Sequence, residues 1–325
     1  MLLVVIEHDR GALAASSEEA MTAGRQLADR LGLALHAMTI GADADGLLDA
    51  LGEYGAIAVH QAHAEVLTDY GPEAWGETVA QFVRSEQPAI VVACGTDRGN
   101  EVLAQAAARL DMPMVANVVE VIPATDGTWE LVRVRWGGSL LERASLVAST
   151  KLITFVHHGV IAEPAAAAAV PTIEPFAPNL DATLARTVVR DRVERVAGVV
   201  LANARLVVGG GRGVGSPEGF APLQELAGLL GGVVGCSRAV TNAGWRPHTD
   251  QVGQTGTRIA ADLYMACGIS GAIQHWVGAM ASKTILAINI DPEANMVTKA
   301  DYAVIGDLHQ VVPAITAEVR KRKGA

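Results

Sequence analysis

Short runs of aliphatic and β-branched residues alternate along this chain with longer stretches in which apolar positions recur every three or four residues. That alternation is the pattern of βαβ units and a parallel sheet. Leu2–Ile6 is the first apolar run, and it predicts a strand. Ser16 and Glu19 have capping-box spacing ahead of an amphipathic stretch that reaches about Gly32, followed by a strand at Leu35–Ile40. The next cycles predict a helix over Gly46–Gly55 and a strand over Ala56–His60, then a helix over Pro72–Ser85 and a strand over Ala89–Cys94. After a helix at Glu101–Leu110 the texture changes. Val118–Val121, Trp129–Val134 and Leu146–Phe155 are strand-like without long helices between them, which predicts an antiparallel edge to the sheet.

Glu163–Pro178 is proline-punctuated and low in complexity, and it reads as an interdomain connection, a linker or an edge strand. A second series begins at Arg205, with strands at Leu206–Val208, Val233–Cys236, Leu263–Ala266, Thr284–Ile290 and Tyr302–Ile305. Helices are expected at Pro222–Leu230, at Gly271–Ala281 and at the C-terminus. The expected fold class is α/β with two domains, each a mostly parallel sheet flanked by helices, the second a Rossmann-like doubly wound domain. The division is expected at 1–190 and 191–325.

A length of 325 residues suits two domains of ordinary size, and 50% apolar residues exclude a disordered chain. No apolar run is long enough to span a bilayer, and the opening residues read as a strand rather than a signal peptide. Cys94, Cys236 and Cys267 are odd in number and far apart, so neither disulfides nor a metal site is expected, and a reducing cytoplasm fits. The net charge of −10 argues against general nucleic-acid binding. It is uneven: 12 basic and 24 acidic residues fall in 1–190, against 13 and 11 in 191–325. A diphosphate ligand would prefer the second half, although Arg320–Lys323 supplies much of the difference.

The candidate chemistry lies in that half, at predicted strand ends. Gly209–Gly213 places Arg212 among glycines, either a phosphate cradle or a tight turn; the GxGxxG fingerprint is absent. Ser237 and Arg238 follow a strand, and Gln251, Gln254 and Thr255 offer amide and hydroxyl groups beside Gly253. Ser270, Gly271 and Ala272 are expected at a helix N-terminus, with Gln274 and His275 on its first turns. Asn289 and Asp291 end another strand, and Asp307 is either a helix cap or a ligand group. One dinucleotide site would account for all five turns.

Read together, GGRG (210–213), the Ser237–Arg238 pair, QVGQTG (251–256), GISGAIQH (268–275), AINIDPEA (287–294) and ADY (300–302) followed by GDL (306–308) closely resemble the alpha subunit of electron transfer flavoproteins. The likeness covers 205–325, and more loosely LVVIEH (3–8) and Thr96–Leu110. It implies one FAD in the C-terminal domain, touched by Arg212, Ser237, Arg238, Gln251, Val252, Gly253, Gln254, Thr255, Ser270, Gly271, Ala272, Ile273, Gln274, His275, Asn289, Asp307 and Leu308. It places Arg238 against the isoalloxazine, Thr255 near N5 and His275 near O2, where a cation and a donating imidazole favour negative charge. The resemblance also implies a beta-subunit partner carrying AMP, or a second FAD, and contacted by the N-terminal domain. Flavin dehydrogenases of the acyl-CoA type would be donors and a membrane quinone oxidoreductase the acceptor, with no chemistry on a substrate. The alternative is the FAD subunit of an NADH-oxidising bifurcating complex. The family often continues DPEAPI, whereas this chain has Asn295, which puts that loop's course in question.

Overall fold

The computed structural model describes residues 1–124, 127–190 and 200–324, and the chain forms two compact units, 1–136 with 140–193 and 137–139 with 194–325. The division expected between residues 190 and 191 falls at the edge of 191–199, which lie outside the described residues.

The first unit runs β1 (Leu2–Val5), a small ribbon of β2 (His8–Asp9) and β3 (Ala12–Leu13), α1 (Ala15–Leu31), β4 (Leu35–Ile40), α2 (Leu48–Glu53), β5 (Ala58–Ala62), α3 (Pro72–Glu86), β6 (Ile90–Cys94) and α4 (Asp97–Leu110). Then come β7 (Met114–Pro123), β8 (Trp129–Arg135), β9 (Leu140–Leu146), β10 (Lys151–Phe155) and β11 (Thr172–Phe176). Nine strands form one sheet in the order β11-β5-β4-β1-β6-β10-β7-β8-β9. Every pair from β11 to β7 is parallel, and β7-β8-β9 is the antiparallel edge. Both faces of the central strands β1 and β6 are covered, which is why these are continuously apolar, whereas the edge strand β11 is exposed. Leu2, Val4 and Ile6 pack with Met21 and Leu27 of α1, while Leu3 and Val5 pack with Trp75, Val79 and Phe82 of α3 and Leu103 of α4.

Three sequence expectations need correction here, and one open alternative is decided. The Ser16–Glu19 capping box does not form: Ser17 instead donates to Glu7 O and accepts from Glu7 N, and Glu19 accepts from His158 N. The run Leu146–Phe155 is split between β9 and β10. The second of these leaves the antiparallel edge and inserts between β6 and β7, pairing Leu152 with Val91 and Met114. The helix at Gly46–Gly55 is a 3-10 turn at Ala42–Leu47 continuing into the short α2, and the strand after it begins at Ala58. Of the readings of Glu163–Pro178, the edge strand is realised: β11 pairs with β5, and the alanine stretch is anchored by Ala165 N donating to Glu53 O and Ala169 N to Gly52 O.

The second unit runs β12 (Leu206–Gly210), α5 (Ala221–Leu230), β13 (Val233–Cys236), α6 (Arg238–Asn242), β14 (Leu263–Cys267), α7 (Ile273–Ala279), β15 (Ile285–Asn289), α8 (Asn295–Lys299), β16 (Tyr302–Ile305) and α9 (Leu308–Lys323). Its five strands are all parallel in the order β13-β12-β14-β15-β16. Alternate residues again serve opposite faces. Val207, Tyr264, Ala266 and Ala287 pack with Ala279 and Met296, while Val208, Met265 and Ile288 pack with Leu223 and Leu226 of α5 and Val312 of α9. The chain reverses direction across the sheet between β12 and β14, so the loops leaving those strands diverge and open a crevice at their carboxyl ends.

Candidate functional site

The crevice is a cavity of about 630 Å³, lined from all five strand ends of the second unit. Its floor is built by glycines that let backbone meet backbone. Gly211 N donates to Cys267 O and Gly213 N to Gly268 O, which zips the loops after β12 and β14 together. A Cβ at Gly211 would come within 2.8 Å of Ile269 Cα. Gly268 and Gly271 have φ of +62° and +76°, which favours glycine at both places. The neighbouring glycines serve packing: a side chain at Gly209 would fall on the Tyr264 ring and one at Gly210 on the Phe220 ring. Neither sequence reading accounts for Gly209 and Gly210, which are packing positions within β12; Gly211 allows the close turn, and Arg212 and Gly213 line the cavity.

The remaining polar side chains divide into two kinds. Asn289 holds the wall together, its Nδ2 donating to Ile269 O and its Oδ1 accepting from Asp291 N. Asp307 caps α9 by accepting from His309 N, so the cap reading is realised while the residue also lines the cavity. Arg212 and Arg238, by contrast, have no ion-pair or hydrogen-bond partner for their guanidinium groups among the described residues. Both are exposed along the cavity wall.

His275 is 7% exposed and lines the same cavity. Its Nε2 lies 2.8 Å from Tyr264 Oη, and its Nδ1 is buried with no partner. Burial pushes its pKa down to about 4, so the imidazole is neutral at pH 7. The cavity's positive charge therefore comes from the arginines alone.

The predicted site residues fall into two groups. Arg212, Ser237, Arg238, Ser270, Gly271, Ala272, Gln274, His275, Asn289, Asp307 and Leu308 converge on the cavity. Gln251, Val252, Gly253, Gln254, Thr255 and Ile273 do not line it. Within the 251–256 loop Gln251 and Thr255 are already engaged: Gln251 accepts from Thr241 Oγ1 of α6 and donates to Thr255 Oγ1, and Val252 is a core residue. The loop is still fastened to the site, because Gln254 N donates to Gln274 O and Gly253 backs onto Gly278 of α7. Gly268, Ile269, Ile290 and Ala294 line the cavity without having been singled out as contacts, and their only signal is adjacency to a strand end. Tyr264 was read as part of an apolar run, and nothing local marks it as the partner of His275.

Residues 2–180 match the family profile described as the electron transfer flavoprotein domain, and residues 200–280 match that of the electron transfer flavoprotein FAD-binding domain. A Bacillus subtilis protein named electron transfer flavoprotein subunit alpha is 36% identical, covering 98% of this chain and 97% of its own length. A Mycobacterium leprae protein of the same name is also 36% identical, with 99% of each covered. "Protein FixB" of Bradyrhizobium diazoefficiens is 34% identical, covering 98% of this chain and 88% of its own length. A full-length likeness of this degree, with both profiles in sequence order, shows that the chain belongs to the electron transfer flavoprotein alpha-subunit family.

Proposed function

We propose that this chain is the FAD-carrying subunit of a heterodimeric electron carrier, with 1–190 as the partner-contacting domain and 191–325 as the flavin domain. The observation that carries the reading is the convergence of two unpartnered arginines and one unpartnered buried imidazole nitrogen on a single cavity. A buried polar nitrogen left unpaired costs about 1–3 kcal/mol, which a ligand oxygen would recover. Two guanidinium groups beside glycine-built turns suit a diphosphate and an electron-rich heterocycle. The donor set fits FAD.

When bound, FAD supplies the electron chemistry, taking up and releasing electrons singly or in pairs. The chain's own residues have four tasks. Arg212 offers charge at the end of β12, where an anionic group can approach the glycine turn closely. Arg238 offers charge at the end of β13 and favours whatever negative charge the ring system gains. His275, held neutral, offers a directed hydrogen bond without adding charge. The backbone zipper between the Gly211 and Gly268 loops keeps these groups in register.

Gln251, Val252, Gly253, Gln254, Thr255 and Ile273 are proposed as contacts to the part of the cofactor that extends beyond the cavity, on the strength of the family likeness. The partner is proposed to be a beta subunit holding its own nucleotide. Flavin dehydrogenases would be the donors and a membrane quinone oxidoreductase the acceptor. Co-purification of the chain with its partner and a visible spectrum test the reading: a yellow complex with one FAD per alpha chain is expected. A colourless complex that takes up NAD but not FAD would overturn it. Direct bleaching on anaerobic NADH titration would instead indicate a bifurcating complex.

A further inference from the structure

Tyr264 and His275 form a buried pair, of which the assignments above use only His275. Tyr264 leaves β14 on the covered face of the sheet and is 0% exposed, and the ring of His275 lies beside it at 6.1 Å between centroids. Among the described residues the Tyr264 hydroxyl has one hydrogen-bond partner, His275 Nε2 at 2.8 Å. Gly209 is what makes room for it, since a side chain there would strike the phenol.

The pair can be protonated in two ways. If Nε2 carried the proton, it would donate to the phenol oxygen, and the Tyr264 O–H would be a buried donor with nowhere to point. If the phenol donates to Nε2, the pair is left with a single open group, Nδ1–H of a residue that lines the cavity, whereas the other tautomer leaves both the phenol O–H and the Nδ1 lone pair without a partner. A buried unsatisfied donor costs about 1–3 kcal/mol, whereas a second lone pair left open on an oxygen costs little. Burial also keeps the ring from taking a second proton at neutral pH, since its pKa is pushed down to about 4. The alternative of an imidazolium bonded to the phenol is thereby removed.

We propose that Tyr264 is a positioning residue whose hydroxyl locks His275 into the neutral Nδ1–H tautomer, making His275 a one-way hydrogen-bond donor to a carbonyl-type oxygen of the cofactor. A free neutral imidazole exchanges between tautomers, and an exchanging ring can accept as well as donate. The lock makes the contact asymmetric. It strengthens as the ligand oxygen gains electron density and cannot invert when that density leaves. The redox consequence rests on the placement of FAD proposed above, but the tautomer does not.

The test uses the full-length chain with its partner subunit, labelled with 15N in histidine and prepared both without flavin and reconstituted with FAD. Proton–nitrogen correlation spectra at pH 7 report which ring nitrogen is protonated, and His275→Gln assigns the signal by its loss. In the flavin-free native protein Nδ1 is expected to carry the proton, with the tautomers mixed in Tyr264→Phe, a nearly isosteric change. A proton on Nε2 of the native protein would overturn the proposal, and that observation requires no variant. In the FAD-loaded protein, Tyr264→Phe is expected to weaken the preference for the reduced cofactor about tenfold, which is about 59 mV for a one-electron couple. Weaker FAD binding with unmoved potentials would mean that the hydroxyl is merely structural. If adding FAD leaves the His275 signals unshifted, the cofactor's placement fails, while the tautomer still stands or falls on the flavin-free spectrum.

Discussion

Each unit of this chain has a cavity at the carboxyl ends of its parallel strands, about 550 Å³ in the first and about 630 Å³ in the second. They differ in what their polar groups are doing. In the first, Arg10 is paired with Asp69 at 2.6 Å, His63 with Asp45 at 2.8 Å, and His8 Nε2 lies 2.8 Å from Ile40 O. Tyr70 donates to Glu101, and Arg98 covers its ring. In the second, the structural polar groups are satisfied but Arg212, Arg238 and His275 Nδ1 are left over. Size and position do not separate the two cavities. Unspent guanidinium and imidazole donors do, and they single out the second crevice as the better candidate for an anionic or electron-rich ligand.

That contrast can be broken first at its foundations. Gly271→Ala puts a side chain at a positive φ and against Met296, whose Cα would lie 2.7 Å from the new Cβ. The left-handed conformation and the overpacking together are expected to cost on the order of 3 kcal/mol, read as a lower urea midpoint for the second unit alone.

Acid should come next. His275 has a folded pKa of about 4 against 6.5 unfolded, so between those values the unfolded chain binds a proton that the folded chain does not. Stability is therefore expected to fall as the pH drops, by on the order of 2 kcal/mol from pH 7 to pH 5. Paired urea titrations should show a shallower pH dependence in His275→Gln. His36 and His60 of the first unit are lowered in the same direction by burial, so that unit retains its own dependence in the variant.

The direct comparison is between arginines. Arg238→Ala is expected to weaken FAD binding about tenfold or more and to lower the first one-electron potential by about 60 mV, as measured by flavin titration and spectroelectrochemistry. Arg10→Ala in the first cavity should change neither. Equal effects at both positions would erase the distinction drawn here.

Much of the fold was legible because strands buried on both faces leave largely apolar runs: Leu35–Ile40 has the bounds expected of it, and the exposed edge strand Tyr302–Ile305 was legible from its β-prone composition instead. Order within a sheet was not legible. Nothing in Lys151–Phe155 says that it inserts between β6 and β7, since that is decided by packing against α4 rather than by its own residues. Polar side chains misled where a distant partner outbid the local one, as when Glu19, expected to close a capping box with Ser16, turned to His158. At the site, the strand-end rule located the cavity walls, but it could not tell a free group from a spent one. Gln251 and Arg238 look equally available in sequence; one is consumed by Thr241 and Thr255, and the other is left open.

The late return of β11 to the sheet sets the order in which the chain can be finished. Its residues pair with β5 more than a hundred positions earlier, and β10 must enter between strands already made. A ribosome would have to deliver residues through Phe176 before the first unit could close its outer strand. The strands of the second unit emerge only after that, and all five lie within a single stretch of about a hundred residues. The sheet that carries the candidate cavity is thus synthesised second, and its short strand separations let it assemble quickly once the sheet of the first unit can close.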